Sequence, residues 1–275
     1  MGYKKLLTIQ DISCVGQCSL TVALPILSAC GHETAILPSA VLSTHTAGFS
    51  GFTFRDLTDD MPSIVNHWRK ENISFDAIYT GYLGSIKQIG YVKDIIKTMG
   101  NETAVTVVDP AMADNGKLYP LFNEEYAKEM RYLCDEASIV LPNITEACFL
   151  TGKEYKEEYD EAYILDLVKA LSNNNVVVLT GVSYREGYTG VVVYENNELS
   201  YYEHEKQSKG CHGTGDVYAS AFVGALLKGK SKFEAAKIAA DYVVQCIKNT
   251  AGDETHWYGV KFETALADLM KAIND

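Results

Sequence analysis

An α/β architecture, with a mostly parallel central sheet, helices on both of its faces and a small hairpin at one edge, is what this sequence predicts. Two patterns carry the prediction. Apolar runs of strand length alternate with longer segments whose apolar residues recur three and four positions apart, as expected when strands exchange with helices around a parallel sheet. Late in the chain, two strand-like runs instead flank Asn196-Asn197, a pair suited to a tight hairpin turn.

Taken in order, the chain opens with a strand candidate at Leu6–Gln10 and a helix candidate at Gln17–Cys30. The strand Thr34–Leu37 precedes the helix Asp60–Lys70, and Ala77–Tyr79 precedes Ile86–Met99. Ala104–Asp109 precedes Glu124–Cys134, and Ser138–Leu141 precedes Glu157–Ser172. Val176–Thr180 then leads into the runs Gly190–Tyr194 and Leu199–Glu203, which place an edge hairpin from Tyr188 to Glu203. The helix candidates Gly215–Lys228, Lys232–Asn249 and Phe262–Ile273 close the chain. No repeat, low-complexity tract or linker interrupts this order. One domain over residues 1–275 is therefore expected, although the length also admits two small ones.

Composition narrows the function. The 24 Lys and Arg against 36 Asp and Glu leave a formal net charge of −12, which disfavours a nucleic-acid partner and docking to an anionic membrane. An anionic substrate stays admissible, because local fields can oppose the net charge. No apolar run approaches the ~18 residues of a membrane span, and Met1–Gln10 is too short for a signal peptide. The 7 cysteines, odd in number and scattered, do not read as a disulfide framework. The expected compartment is a reducing cytoplasm.

Ligands of parallel sheets sit beyond the C-terminal ends of the strands, which directs attention to Asp11, Tyr79–Gly84, Asp109, Asn143 and Thr180. The stretch Gly224–Ser231 matches the phosphate-loop pattern G-x-x-x-x-G-K-S, yet a helical pattern precedes it where that motif needs a strand. Gly229 is better read as the glycine closing one helix, and Ser231 with Glu234 as the capping box opening the next. Chemistry points instead to Lys209–Asp216, where Gly210, Gly213, Gly215, Thr214 and Asp216 precede an apolar helix. Glycines let backbone N–H groups approach an anion, and a helix start adds partial positive charge. Asp216 in the first turn then fits either a base acting on an attacking hydroxyl or a simple helix cap. Lys206 and Lys209 read either as partners of a polyphosphate or as solvated loop lysines.

Gly213-Thr214-Gly215-Asp216 resembles the C-terminal signature of the ribokinase-like superfamily, in which the Asp is the catalytic base. Leu7–Gln10, Ser43–Thr46, Thr80–Gly84, Asp109-Pro110 and Asn143–Glu146 fall in the order seen in pyridoxal kinases, so the resemblance spans about residues 5 to 250. It implies a ribokinase-like fold and MgATP-dependent phosphorylation of the 5′-hydroxymethyl group of a B6 vitamer, in the salvage of pyridoxal phosphate. Carried onto this chain, it implies Asp216 as general base and Gly213, Thr214 and Gly215 as the anion hole for the transferred phosphoryl. Asp109 and Asp114 match the acidic pair near magnesium and the ATP phosphates. Asn143 and Glu146 match an NxxE motif acting through magnesium, and Thr180 matches a residue near the nucleotide. His45, Thr46 and Tyr82 match residues lining a pyridine pocket. ATP and Mg2+ are the implied cofactors, with K+ as an open addition, and the family resemblance implies a homodimer.

One position departs from the family. Where familiar members carry a serine toward the pyridine nitrogen, this chain has Asp11. An ionised Asp there favours a protonated ring nitrogen, of a B6 vitamer or of a related aminopyrimidine; the plainer reading is a capped turn after the first strand. The close rival is another small-molecule kinase of the same superfamily, for hydroxymethylpyrimidine or a sugar, and the distant one a non-catalytic vitamin or nucleotide sensor on the same fold. Cys14 and Cys18 alone do not make a zinc site. The aromatic stretch Asp253–Gly259 reads as packing, or as a border of the nucleotide site or a subunit contact.

Overall fold

The computed structural model describes residues 3–207 and 211–275. Its main sheet has nine strands: β1 Lys5–Ser13, β2 Glu33–Leu42, β3 Phe54–Asp56, β4 Phe75–Thr80, β5 Gly100–Val108, β8 Ile139–Val140, β9 Val176–Val182, β10 Tyr188–Glu195 and β11 Glu198–Glu205, in the order β11-β10-β9-β8-β5-β4-β1-β2-β3. The strands from β9 across to β2 are all parallel. The hairpin β10–β11 at one edge and β3 at the other are antiparallel additions. A separate small ribbon pairs β6 Ala113–Asp114 with β7 Lys117–Leu118.

The helices are α1 Leu20–Ala29, α2 Met61–Lys70, α3 Ile86–Met99, α4 Glu124–Asp135, α5 Ile144–Thr151, α6 Glu161–Leu171, α7 Thr214–Leu227, α8 Lys232–Thr250 and α9 Leu266–Asn274. The strands explain why helices must cover both faces. Along β1, Leu7 and Ile9 enter the core shared with α2 to α6, while Leu6 enters the one shared with α1, α7, α8 and α9. Successive side chains of a strand point to opposite faces, so a run that is apolar on both can be buried only in a covered sheet.

The expected mostly parallel sheet with an edge hairpin is present. The turn residues Asn196 and Asn197 both have positive φ, 53° and 66°, and Glu195 pairs with Glu198, which is the two-residue turn that matches strand twist. Boundaries moved where local chemistry intervened. The first helix starts at Leu20 rather than Gln17 because Ser19 sits at φ 54°, outside helical space. The segment expected as one helix from Glu157 starts at Glu161, where the Asp160 side chain accepts from the Tyr163 N–H. The phosphate-loop look-alike is a helix junction: Gly229 has φ 93°, and Ser231 and Glu234 form a capping box. Among the described residues no helix is long and apolar enough to cross a membrane.

Candidate active site

Strand β1 has β2 on one side and β4 on the other, so the chain reverses direction across the sheet beside it. Such a switch leaves a crevice at the strand ends. Asp11 lies near the end of β1, Tyr82 just beyond β4, Asp109 just beyond β5, Asn143 and Glu146 beyond β8, and Thr180 within β9. The folded chain thus brings most of the expected residues to one rim.

Residues 211–216 reach that rim by packing on the turn after β1. Gly213, the N-cap of α7, has φ 74°, and a side chain there would run into the Gln17 carbonyl oxygen and lie 3.2 Å from Cys18 Sγ. The fold therefore requires glycine at 213. Gly215 differs: nothing lies within 4 Å of a side chain built there. Its lack of a side chain keeps space open over the first turn of α7, where orphan N–H groups favour an anion. Thr214 Oγ1 donates to the Cys211 carbonyl at 3.3 Å. Lys209 lies outside the described residues.

Asp216 keeps part of its surface open, yet burial pushes its carboxyl up to about 7, aided by the charge of Asp11 and opposed by a hydrogen bond from the Ser19 N–H. Asp11 is buried, and burial raises its pKa against hydrogen bonds from Ser19 and Ser13. The Ser13 hydroxyl donates to Asp11 Oδ2 at 3.1 Å. The Cys18 thiol is pushed up by burial and by the charges of Asp216 and Asp11, and stays neutral. Tyr82, its ring 5.5 Å from that of Phe122, is pushed up to about 12 by burial and by Asp11 and Asp56.

His45 is tied into the protein. Its Nε2 donates to the Tyr258 carbonyl at 2.7 Å, and its Nδ1 accepts from the Ala47 N–H at 3.2 Å. Only the neutral tautomer protonated at Nε2 satisfies both, and burial lowers its pKa in keeping with that. The ring leans on Phe49 at 5.0 Å and His212 at 5.7 Å, and Phe49 packs on Trp257 at 4.6 Å. The aromatic stretch 253–259 is thus packing that clasps the 43–49 loop beside the site. His45 can offer a ligand its ring but neither nitrogen. Thr46 is exposed on the same loop.

At the other end, carboxylates crowd. Glu146 and Asp109 are 3% and 9% exposed. Asp109 is raised well above its ordinary range by burial and then by Glu146 and Asp216. Glu146 is pushed up to about 7 by burial, with the charge of Asp114 adding to it. Asn143 and Glu146 form a capping box: Asn143 Oδ1 accepts from the Glu146 N–H and Glu146 Oε2 from the Asn143 N–H, both at 2.9 Å. Glu146 Oε1 also accepts from the Met112 N–H at 3.1 Å, and Asn143 Nδ2 donates to the Ala113 carbonyl at 2.8 Å. The N-x-x-E spacing is thus first a helix start. Asp114 is exposed on the ribbon. With Asn143, Thr180, Arg185 and Lys206 it lines a cleft of about 660 Å³, large enough for a nucleotide.

Among the described residues no three His, Cys, Asp or Glu side chains could hold a metal ion on their own. Asp109, Asp114 and Glu146 are hard oxygen donors in a strongly acidic place, which suits a cation that completes its shell with phosphate and water oxygens, as Mg2+ does. The residues fit such an ion when it arrives with a polyphosphate, and they do not form a closed cage for it.

Ser19 is the contributor that sequence reasoning missed. It lies in no motif and carries no local signal beyond following a glycine-containing turn.

The architecture and this rim define a ribokinase-like kinase fold. The phosphomethylpyrimidine kinase family model matches residues 58–259. A candidate phosphomethylpyrimidine kinase from Bacteroides thetaiotaomicron, solved with pyridoxal, is 38% identical, with a TM-score of 0.91 over 98% of this chain and 96% of that one. Pyridoxal kinase from Lactobacillus plantarum is 29% identical, with a TM-score of 0.91 over 98% of both chains. The hydroxymethylpyrimidine/phosphomethylpyrimidine kinase of Bacillus subtilis is 25% identical over 78% of each chain. The chain belongs to the phosphomethylpyrimidine kinase family, as a pyridoxal kinase-like member of the ribokinase superfamily.

Proposed function

We propose that this kinase transfers the γ-phosphoryl group of ATP to the 5′-hydroxymethyl group of a B6 vitamer (pyridoxal, pyridoxamine or pyridoxine), giving the vitamer 5′-phosphate and serving pyridoxal phosphate salvage in the cytoplasm. The observation that carries the reading is the neighbourhood of Asp216 and Asp11. A partly open carboxyl with a pKa raised to about 7 by burial sits at the start of α7, within the field of the buried Asp11 carboxyl near the end of β1. On this reading the whole chain is one catalytic unit that works as a homodimer.

The mechanism follows from the residues. Asp216 accepts the proton of the hydroxymethyl group as it attacks, and a pKa near 7 suits a base at neutral pH. The first-turn N–H groups of α7, uncovered by Gly215, stabilise the charge on the transferred phosphoryl. The cleft along Asn143, Thr180 and Lys206 orients the nucleotide, and Lys209, outside the described residues, is assigned to the polyphosphate. Asp109, Asp114 and Glu146 would hold Mg2+ through its waters, and the ion supplies charge neutralisation to the phosphates. Asp11 pairs with the protonated ring nitrogen, while Tyr82, Thr46 and the His45 ring wall the ring in.

The second reading is hydroxymethylpyrimidine as acceptor. It is favoured by the description of the matching family and by Asp11, which can pair with an aminopyrimidine as well as with a pyridinium. An ATP-consumption assay across the three vitamers and hydroxymethylpyrimidine separates the two. The proposal expects turnover of at least one vitamer above that of hydroxymethylpyrimidine, and the reverse order would overturn it.

A further inference from the structure

The segment from Tyr82 to Gly84 is held by its main chain, and side chains of three elements hold it. The Tyr126 hydroxyl of α4 donates to the Leu83 carbonyl at 2.6 Å. Gln88 Oε1 of α3 accepts from the Gly84 N–H at 2.7 Å. The Ser39 hydroxyl of β2 donates to the Tyr82 carbonyl at 3.4 Å. Ser39, Gln88 and Tyr126 are all buried, in an interior where a hydrogen bond is stronger than in water.

Gln88 has an uncommon use. It stands three residues after Ser85, whose hydroxyl caps α3 by accepting from the Gln88 N–H. A glutamine at that position ordinarily reaches back to the N–H of the capping residue, and glutamine is mostly an exposed residue. Gln88 is 1% exposed and reaches one residue further, to Gly84. Its Nε2 donates to the Ser39 carbonyl at 3.1 Å and to the Thr58 hydroxyl at 2.8 Å, so both amide hydrogens and the amide oxygen have partners. One side chain thereby joins the 82–84 segment to β2 and to the stretch that follows β3. Burying a polar group costs free energy unless its bonds are made, and an apolar side chain would fill the same position without that demand.

Tyr126 acts on the same segment twice. Besides its bond to Leu83, its ring stacks on Phe122 at 3.9 Å, and Phe122 packs against the Tyr82 ring at 5.5 Å. The ring and the main chain of the segment are thus supported by the same side chain.

We propose that Gln88 and Tyr126 are positioning residues for the acceptor: they set the main chain of 82–84 and, through it and Phe122, the plane of the Tyr82 ring. This rests on the phosphotransfer reading above and deepens it, by naming what fixes one wall of the acceptor site. A wall whose plane is set before the ligand arrives suits a flat heteroaromatic ring better than a puckered sugar.

The test compares Tyr126→Phe with Tyr242→Phe. Tyr242 is a matched control in the core on the other face of the sheet, a buried tyrosine whose hydroxyl donates to the Phe262 carbonyl at 2.8 Å. Each variant loses one hydroxyl-to-carbonyl bond and keeps its ring, so both should melt at a lower temperature. Kinetics are read with MgATP and pyridoxal or hydroxymethylpyrimidine, whichever the unmodified protein phosphorylates. Tyr126→Phe should raise the KM for the acceptor about 3- to 10-fold, with kcat within about threefold and the KM for ATP within about twofold. Tyr242→Phe should leave all three within about twofold. In a Tyr82→Ala background, Tyr126→Phe should change the acceptor kcat/KM by less than about twofold, because the ring it positions is gone. Gln88→Met keeps the length of the side chain and removes its bonds, and it should raise the acceptor KM as well; Tyr126→Phe decides alone if that variant does not fold. An unchanged acceptor KM in Tyr126→Phe or in folded Gln88→Met, an equal rise in Tyr242→Phe, or an equal loss with and without the Tyr82 ring would overturn the proposal. If the unmodified protein phosphorylates neither acceptor, the phosphotransfer reading fails by itself. The same comparison is then read on the dissociation constant for pyridoxine by titration calorimetry, and absence of pyridoxine binding overturns the positioning role too.

Discussion

The two ends of the cleft are built by opposite means. At the end proposed for the ring, polar groups already have partners: both His45 nitrogens are bonded, Asp11 accepts from the Ser13 hydroxyl, and Tyr82 rests on Phe122. At the end proposed for the phosphates, burial raises Asp109, Glu146 and Asp216, and the charges of the other two raise Asp109 further, an arrangement that costs free energy until positive charge arrives. On the proposed function, the ring end is organised in advance and the phosphate end suits a cation-bearing polyphosphate. On that reading a chain with a net charge of −12 takes ATP through local neutralisation and one helix start, not through the overall field.

The largest effect should come from the junction of the two ends. Asp216→Asn removes the base, so turnover should fall at least about 100-fold while ATP binding persists; kinetics and nucleotide titration together check this. The same variant should be more stable at pH 8. The folded pKa of Asp216 is raised to about 7 from 3.8. Its ionisable carboxyl therefore costs nothing below the unfolded value, destabilises the fold progressively from about pH 4 to about pH 7, and reaches its full cost above that. The gain in melting temperature should vanish by about pH 4, and a gain independent of pH would show that Asp216 is not the group so shifted.

Next in size is the contrast between two glycines of one motif. Gly213→Ala meets a carbonyl at positive φ and should lower the melting temperature sharply. Gly215→Ala meets nothing and should leave it unchanged or raise it, since alanine favours a helix by about 1 kcal/mol. Its turnover should nonetheless fall about tenfold or more, because a methyl group fills space kept for the phosphoryl. Equal thermal effects at the two positions would erase the distinction between a glycine the fold needs and one the site needs.

At the phosphate end, magnesium depletion should weaken apparent ATP affinity, and Glu146→Gln should reduce that dependence; isothermal titration with and without chelator reads both. At the ring end, Asp11→Ser should alter the order of preference among acceptors or the pH dependence of KM, and an unchanged profile removes the ring-nitrogen pairing. The smallest effect is His45→Phe, which keeps the aromatic packing and loses two hydrogen bonds. A cost of about 1–2 kcal/mol in denaturant unfolding is expected.

What the sequence made legible follows the same division. Strand and helix order was readable because strands buried on both faces are continuous apolar runs, and the Asn196-Asn197 turn announces itself by residue type. The residues ending strands were readable because strand ends in a parallel sheet are where ligands bind. Asn143 and Glu146 were legible as a motif, and the structure adds that their spacing also starts α5. The short strand β3 and the ribbon of β6 and β7 were missed, since two or three residues carry no periodicity. Ser19 was invisible because backbone strain leaves no mark on residue type. The His45–Tyr258 bond joins positions 213 apart in sequence, and no local pattern reports such a contact.

The most direct test of the central claim is acceptor competition: equimolar pyridoxal, pyridoxamine, pyridoxine and hydroxymethylpyrimidine with MgATP, products resolved by mass, for the unmodified protein and Asp216→Asn. The account predicts a phosphorylated B6 vitamer as the main product, lost in the variant. Phosphorylated hydroxymethylpyrimidine as the main product, or undiminished product from the variant, would contradict it.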